Sequence, residues 1–351
     1  IILLALLYLG LSGRFRAWAE RISRRRLLVS FYYMLFLGVF LFVVNLPFDF
    51  YRGFIVEHQY GFSNQTGGEW LVERLKMASV IFVFLFIGAL ILYAMINRLR
   101  QWWLWFSLVL IPLMVFVIII FPVFITPIFN KFEPIRNQHL ADEMASLATR
   151  AGIAHPDILQ ADASRQSEKL NAYFTGMFGT KRIVLYDNTI ENMSVDELKF
   201  VMGHEIGHHV MNHLWIGLFA EIVVLLFGLY LFNRYIHRII RRHSRRLRFS
   251  RLGDIASLPL VLLFATVFGF FAQPATNGLS RYLEYQADEY GFELSGISVD
   301  IAATTFDKFS VYNLSDPAPS KLIEYWFYDH PALNERIASI QRLYEELHPA
   351  D

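Results

Sequence analysis

Cysteine is absent from the 351 residues, which excludes a disulfide framework, a cysteine-ligated zinc site and a thiol nucleophile. Charge is scarce as well: 18% of the residues are Asp, Glu, Lys or Arg, and the two signs cancel to a net +1. No nucleic-acid partner is expected on that balance. Internal repeats and low-complexity linkers are also missing. What abounds is apolar surface: 55% of residues are hydrophobic and 16% aromatic, and the mean hydropathy of +0.37 lies beyond that of an ordinary soluble domain. The lipid bilayer is therefore the expected surrounding.

Apolar windows long enough to cross hydrocarbon occur at 27–46, 78–96, 102–125, 214–232 and 255–271. A shorter run at 1–11, opening on Ile1, reads as the tail of a span that starts upstream. A cleaved signal sequence is the weaker reading, because no basic leader or small-residue cleavage site precedes it. Trp102, Trp103 and Trp105 cluster where a span would meet the interface, and Pro47, Pro112, Pro122 and Pro127 sit in or beside spans, as lipid-embedded helices tolerate.

Two stretches have ordinary soluble composition, 126–200 and 275–351. The first contains "HLADEMASLATRAGI", apolar at helical spacing and ending at a glycine, and the second ends in another helical period. Between them "KLNAYFTGMFGTKRIVLYDNTI" has two runs rich in Tyr, Phe, Ile and Val around a Gly-containing turn, which predicts a hairpin. The fold class expected is mainly α, a polytopic membrane protein with a small α+β catalytic part. Its expected divisions are 1–125 and 214–274 for membrane helices, 126–213 for the soluble part with the hairpin, and 275–351 for the C-terminal catalytic part.

The chemistry concentrates in "VMGHEIGHHVMNH" at 201–213, which runs without a break into an apolar span. His204, Glu205 and His208 form H-E-x-x-H, and two histidines four apart on a helix project from one face and can grip one metal ion. Zinc suits imidazole, and Glu205 is placed to accept a proton from a water held at the metal. With 11 His in the chain, random order would produce the pattern about 0.02 times. His209 and His213 fall off that face or a turn too far, and read as interfacial polar residues.

An open catalytic zinc site needs a third protein ligand. Glu284 and Asp288, again four apart, directly follow the span at 255–271, just as H-E-x-x-H directly precedes the span at 214–232. Two spans go across and return, so both pairs emerge on one side of the membrane. Glu284 as third ligand, with Asp288 holding a ligand imidazole by its other nitrogen, is the economical assignment. A solvated acidic face is the plain alternative for such a pair.

"GHEIGHH", "EYQAD", "LNAYFTG", "KRIVLYDN", "PIFNKFEPI", "YGFSNQT" and "DHPALNERI" occur here in the order and surroundings seen in the type I CAAX prenyl endopeptidases. The chain resembles that family of integral-membrane zinc metalloproteases from its first residues to about Arg342. The resemblance implies seven membrane helices around a water-filled chamber, the first of them missing before Ile1. It also implies one zinc ion per chain on His204, His208 and Glu284, with Glu205 catalytic. His330 matches a family histidine near the zinc that stabilises an oxyanion or binds a carboxylate; a helix-start residue before proline is the plainer reading. Asn171, Ala172 and Tyr173 match an edge strand along which a peptide or protein substrate, prenylated in this family, pairs as an added strand. Tyr173 and Phe174 could equally pack the domain. Arg336 matches a family arginine grouped with the substrate-binding residues, structural in character. The short "ENMSVDELK" stands where eukaryotic members carry a long insert, which points to a bacterial or minimal member.

Loop charge bears on orientation. Residues 12–26 carry six Arg against one acid and 233–254 eight Arg against one, whereas 123–213 sum to −3 and 275–351 to −8. The positive-inside rule puts the catalytic side outside the cytoplasm, as in a bacterial plasma membrane, although a eukaryotic member in the endoplasmic reticulum or nuclear membrane would face the other way. Two other functions compete with prenyl-protein processing: a quality-control metalloprotease cutting membrane proteins, and a zinc-holding transporter, which would have no use for the base Glu205.

Overall fold

The computed structural model describes residues 1–154, 156–176 and 181–349. The chain forms two compact units. The first comprises Ile1–Glu57, Thr66–Val115 and Glu221–Ala272, and the second His58–Gln65, Phe116–Ala220 and Gln273–Asp351.

Among the described residues five helices are long and apolar enough to cross a membrane: Arg26–Gln59, Gly67–Arg98, Trp102–Ile128, His213–Leu247 and Ile255–Ser295. Each contains one of the five windows expected from hydropathy. A sixth span results if Ile2–Tyr8 and Leu11–Ile22, bent by 68°, are counted as one. The bend is at Gly10, whose φ of +64° suits a residue without a Cβ. The helices outrun their apolar windows because backbone hydrogen bonding continues past the hydrocarbon edge. Gly67–Arg98 begins on a capping box, with Thr66 accepting from the Glu69 N–H while Glu69 accepts from the Thr66 N–H.

In the first unit the core gathers Tyr33, Leu37, Leu92, Phe106, Phe232 and Ile240, all buried. Side chains such as Val39, Val43, Val223, Phe227, Val267 and Phe271 stay exposed in mid-span. Lipid, as apolar as they are, is the solvent that leaves them there at no cost.

The second unit is built on a mixed sheet, and the expected hairpin is half of it. Its strands among the described residues are β1 (Phe132–Pro134), β2 (Asp157–Ala161), β3 (Ala172–Thr175) and β4 (Arg182–Tyr186), in the order β1-β2-β4-β3. The hairpin strands β3 and β4 pair antiparallel, with Tyr173 opposite Val184. The intervening turn at 177–180 lies outside the described residues. β1 and β2, three and five residues long, carry too little alternation to be legible from sequence. β3 is an edge strand. Because the Tyr186 N–H bonds Asn171 O, the pairs Asn171/Tyr186 and Tyr173/Val184 are the hydrogen-bonded ones, and the alternation of an antiparallel ladder turns the Ala172 and Phe174 backbone groups to the unpaired edge.

The helix Val195–Val210 packs on this sheet through Leu198, Met202 and Ile206, each at most 1% exposed and one turn apart. At about 100° per residue, His204 and His208 then point to the far side of the helix from Met202, while Glu205 turns back toward the sheet.

Candidate active site

The helix carrying H-E-x-x-H is held firmly at its start. Ser194 accepts from the Glu197 N–H, and the Glu197 carboxylate accepts from the Ser194 N–H at 2.6 Å and from Lys308 Nζ at 2.7 Å. A second helix, Leu258–Ser295, crosses it. The crossing is made by small residues: a Cβ on Gly203 would lie 2.9 Å from Gly291 O, one on Gly291 2.6 Å from His204 N, and one on Gly207 3.3 Å from Ala287 Cα. Gly203 and Gly207 on one helix and Ala287 and Gly291 on the other, each pair four apart, let the backbones touch. That closeness brings Glu284, two turns before Gly291, onto the histidine face.

His204 Nε2 and His208 Nε2 are 3.1 Å apart. Glu284 closes the triangle, with Oε2 at 3.4 Å from His204 Nε2 and Oε1 at 3.2 Å from His208 Nε2. Tetrahedral zinc with bonds near 2.0–2.1 Å holds its ligand atoms about 3.3 Å apart, close to the imidazole–imidazole distance and to the distances from each imidazole to the nearer Glu284 oxygen. Glu284 Oε2 is buried and accepts no hydrogen bond among the described residues, although His204 and His330 face it at 3.4 Å and Arg336 at 3.6 Å; a cation in the triangle would satisfy it. The donor set, two imidazoles and a carboxylate, is the borderline kind that zinc prefers.

The second nitrogens of both imidazoles are engaged. His204 Nδ1 lies 2.8 Å from Asp288 Oδ1, which fixes the tautomer with Nε2 free to ligate. Asp288, 1% exposed, is gripped in turn by Arg336, which donates from Nε at 2.7 Å and from Nη2 at 2.5 Å. The Arg336 guanidinium also lies 4.7 Å from the centroid of the Phe306 ring. Arg336 thus spends its Nε–Nη2 edge on Asp288, with Nη2 also 3.6 Å from Glu284 Oε2. His208 Nδ1 meets His213 Nδ1 at 2.9 Å. His213 is 5% exposed, so the reading of it as an interfacial polar residue does not hold. Helical spacing alone could not reveal it, because it is a helix break at Asn212, φ +60°, that folds the fifth residue back onto the ligand face.

Glu205 stands beside the triangle and accepts a hydrogen bond from the Phe174 backbone N–H on β3. Burial pushes its carboxyl above the ordinary value, with the Glu284 charge adding to the rise, while His204, His208 and the Phe174 N–H offset part of it. A carboxylate so raised is a better proton acceptor. His330 Nε2 is 3.4 Å from Glu284 Oε2, and its Nδ1 is 2.9 Å from Asp329 Oδ1. The Asp329 hydrogen bond raises the His330 pKa, and the charge of Glu284 adds to it against burial. Asn171 caps the strand start, its Oδ1 accepting from the Ala172 N–H at 2.9 Å. The Tyr173 ring packs against Tyr186 at 6.4 Å, and Phe174 against His209 at 4.7 Å.

A cavity of about 520 Å³ opens on this constellation. Its polar wall includes His204, Glu205, His330 and Arg336, and its apolar wall Val201, Phe306, Phe309, Leu314 and Phe327; Ala172 of the edge strand lines it as well. The histidine–carboxylate cluster, the edge of the sheet at Ala172 and an apolar recess thus share one space.

Residues 134–344 match the family described as Peptidase family M48, and residues 1–131 match the description "CAAX prenyl protease N-terminal, five membrane helices". An uncharacterized metalloprotease of Bacillus subtilis, YhfN, is 33% identical over 338 residues, covering 96% of this chain and 79% of that protein. CAAX prenyl protease 1 of Saccharomyces cerevisiae is 30% identical over 328 residues, covering 87% of this chain and 70% of that one. The crystal structure of Saccharomyces mikatae Ste24p superposes with a TM-score of 0.84 at 26% identity, over 96% of this chain and 82% of that chain. Both halves of the chain thus match within one lineage of membrane peptidases, and the chain belongs to peptidase family M48, as an integral multi-pass membrane metalloendopeptidase.

Proposed function

We propose that the metal is zinc, held one per chain by His204, His208 and Glu284, and that the enzyme cleaves peptide bonds near the C-terminus of prenylated protein substrates. The observation carrying the zinc reading is the ligand triangle, with edges of 3.1, 3.2 and 3.4 Å around an unsatisfied buried carboxylate oxygen. The prenyl reading rests on relatives named CAAX prenyl protease 1, from yeast to human. When bound, zinc supplies Lewis acidity to the attacking water and the scissile carbonyl.

The chain's own residues do the rest. Glu205 takes the proton of the attacking water and returns it to the leaving amine. Asp288, braced by Arg336, keeps His204 in the ligating tautomer, and His213 does the same for His208. His330, beside Glu284, donates to the oxygen on which charge develops. The outward Ala172 carbonyl of β3, and the Ala172 N–H once it exchanges Asn171 Oδ1 for the substrate, pair with the extended peptide, with Asn171 and Tyr173 flanking it, which lays the scissile bond beside Glu205. The apolar recess receives a substrate side chain.

A second reading is favoured by the loop charges. An excess of eight Arg against one acid at 233–254, opposed to a sum of −8 at 275–351, puts the catalytic side outside the cytoplasm under the positive-inside rule. There a quality-control role on membrane proteins fits better than processing of cytosolic prenylated chains. One experiment separates the two. Full-length enzyme is incubated with a farnesylated CAAX peptide and its unprenylated twin, and the cut is located by mass spectrometry. Cleavage restricted to the farnesylated peptide supports prenyl processing; equal cleavage of both refutes it. In either case Glu205→Gln should keep its zinc and lose at least about 100-fold in rate, and an unchanged rate would remove Glu205 as the base.

A further inference from the structure

The first unit holds a feature that peptide hydrolysis does not use. A cavity of about 650 Å³ lies at the arginine-rich ends of the membrane helices, lined by Arg100, Arg241, Arg251, His237, Asn233 and Trp102 among others. Its charge is uncompensated. None of Arg100, Arg241 and Arg251 has an ion pair or side-chain hydrogen bond among the described residues. The single acid of the 233–254 stretch, Asp254, is already engaged by Arg16. Among the described residues no Asp or Glu lines the cavity.

Its placement relative to lipid follows from the sequence. Asn233, His237 and Arg241 are spaced by four on the helix His213–Leu247, so they form one stripe that starts directly after Phe232, the last residue of the apolar run. The stripe rises about 12 Å along the axis, from the hydrocarbon edge out through the headgroup layer. Trp102, 4% exposed, begins the neighbouring span and sits at the same depth as an interfacial aromatic. The opposite wall is pinned: Asn97 Nδ2 donates to Gly253 O at 3.1 Å, and a Cβ on Gly253 would lie only 2.2 Å from Asn97 Oδ1. The end of the helix Gly67–Arg98 and the loop at Gly253 are locked together there, and the cavity is a built recess rather than a gap between mobile chains.

We propose that this recess binds the phosphate-bearing headgroup of an anionic phospholipid. Guanidinium forks match phosphate oxygens bidentately; the Asn233 amide and the Ser250 hydroxyl, neither with a side-chain partner among the described residues, are free to reach the ester and glycerol oxygens. A free phosphate would satisfy the arginines as well, but a recess whose stripe starts directly after the apolar run at Phe232 lies at headgroup depth, which favours the lipid.

The test uses delipidated full-length protein and short-chain phosphatidylglycerol, with phosphatidylcholine and inorganic phosphate as comparison ligands, read by native mass spectrometry and by titration. One phosphatidylglycerol per chain should bind in preference to phosphatidylcholine. Arg100→Gln and Arg251→Gln should each weaken it about fivefold, and the triple variant including Arg241→Gln roughly a hundredfold. Arg21→Gln/Arg24→Gln/Arg25→Gln removes equal charge from the neighbouring basic segment outside the cavity and should change binding little. Equal weakening in that control would reduce the effect to bulk charge and overturn the proposal, as would equal binding of phosphatidylcholine. Inorganic phosphate competing as strongly as the lipid would reassign the recess to a free anion. Should the triple variant fail to fold, the two loop variants Arg100→Gln and Arg251→Gln decide the question alone.

Discussion

Gly291→Ala is the most demanding test of how the metal triangle is built. The added Cβ would lie 2.6 Å from His204 N and 2.9 Å from His204 Cα, both backbone atoms that no rotamer change can move aside. Ordinary contact begins near 3.4 Å, so the two helices must separate by roughly 0.8 Å at the crossing. The protein can absorb the overpacking at a cost of about 1–3 kcal/mol. The metal cannot absorb the shift as easily, because ligand distances tolerate only about ±0.2 Å, and Glu284 and Asp288 ride on the displaced helix while His204 and His208 do not. Zinc affinity should fall about 10–100-fold, and cleavage by about 100-fold even with zinc in excess. A graded series sharpens the point. Gly203→Ala, meeting Gly291 O at 2.9 Å, should be milder, and Gly207→Ala, whose nearest obstacle is a Tyr290 ring carbon at 3.1 Å, milder still. Gly269→Ala, on the same helix with nothing within 4 Å, should leave activity unchanged and stability within about 1 kcal/mol. Zinc affinity by chelator competition, melting temperature and peptide cleavage are read on one preparation of each variant. If Gly291→Ala binds zinc and cleaves like the parent, close backbone approach does not set the ligand geometry.

Three further outcomes are expected. His213→Ala should weaken zinc by about 10–100-fold with little loss of fold, since the imidazole at 2.9 Å from His208 Nδ1 orients a ligand without touching the metal; His213→Asn should restore part of the affinity, and a variant with unaltered zinc affinity would reduce His213 to packing. Ala172→Pro should abolish cleavage while largely keeping zinc and the melting temperature, because its N–H faces the sheet edge and is held only by Asn171 Oδ1, whereas Tyr173→Pro deletes an N–H turned toward β4 and should unfold the second unit; the reverse order would refute the edge-strand docking. The Glu197 carboxyl would be raised by burial alone, but Lys308 and the Ser194 N–H outweigh that and hold it below the ordinary 4.5. A depressed carboxyl contributes stability above its unfolded pKa and loses it as pH falls through the folded one. Glu197→Gln should therefore cost about 2 kcal/mol at neutral pH, with the gap in melting temperature closing below about pH 4; a gap independent of pH would show that the charge is not what stabilises the cap.

The legible part of this protein is the part encoded over short distances or by the bilayer. H-E-x-x-H needs only the helical repeat, and the five spans need only apolar length, so both are visible in the sequence and lie where expected in the structure. Glu284 and Asp288, some eighty residues downstream, were reachable because two membrane crossings leave few options for where the chain returns. What brings them to the histidines was not legible. Gly203, Gly207, Ala287 and Gly291 are ordinary small residues in apolar helices, common in any membrane chain; only the crossing shows that a side chain at Gly203 or Gly291 would drive the backbones apart. His213 was hidden for a related reason. An uninterrupted helix would turn the fifth residue after His208 off its face, and the break at Asn212 that returns it has no strong sequence signal, since Asn is simply the residue that tolerates a left-handed turn. Motif and hydropathy therefore name the candidate groups, while the distances between those groups rest on packing whose residues look featureless in one dimension. Activity in this fold should accordingly be more sensitive to a methyl group at the helix crossing than to most charge changes on the catalytic surface.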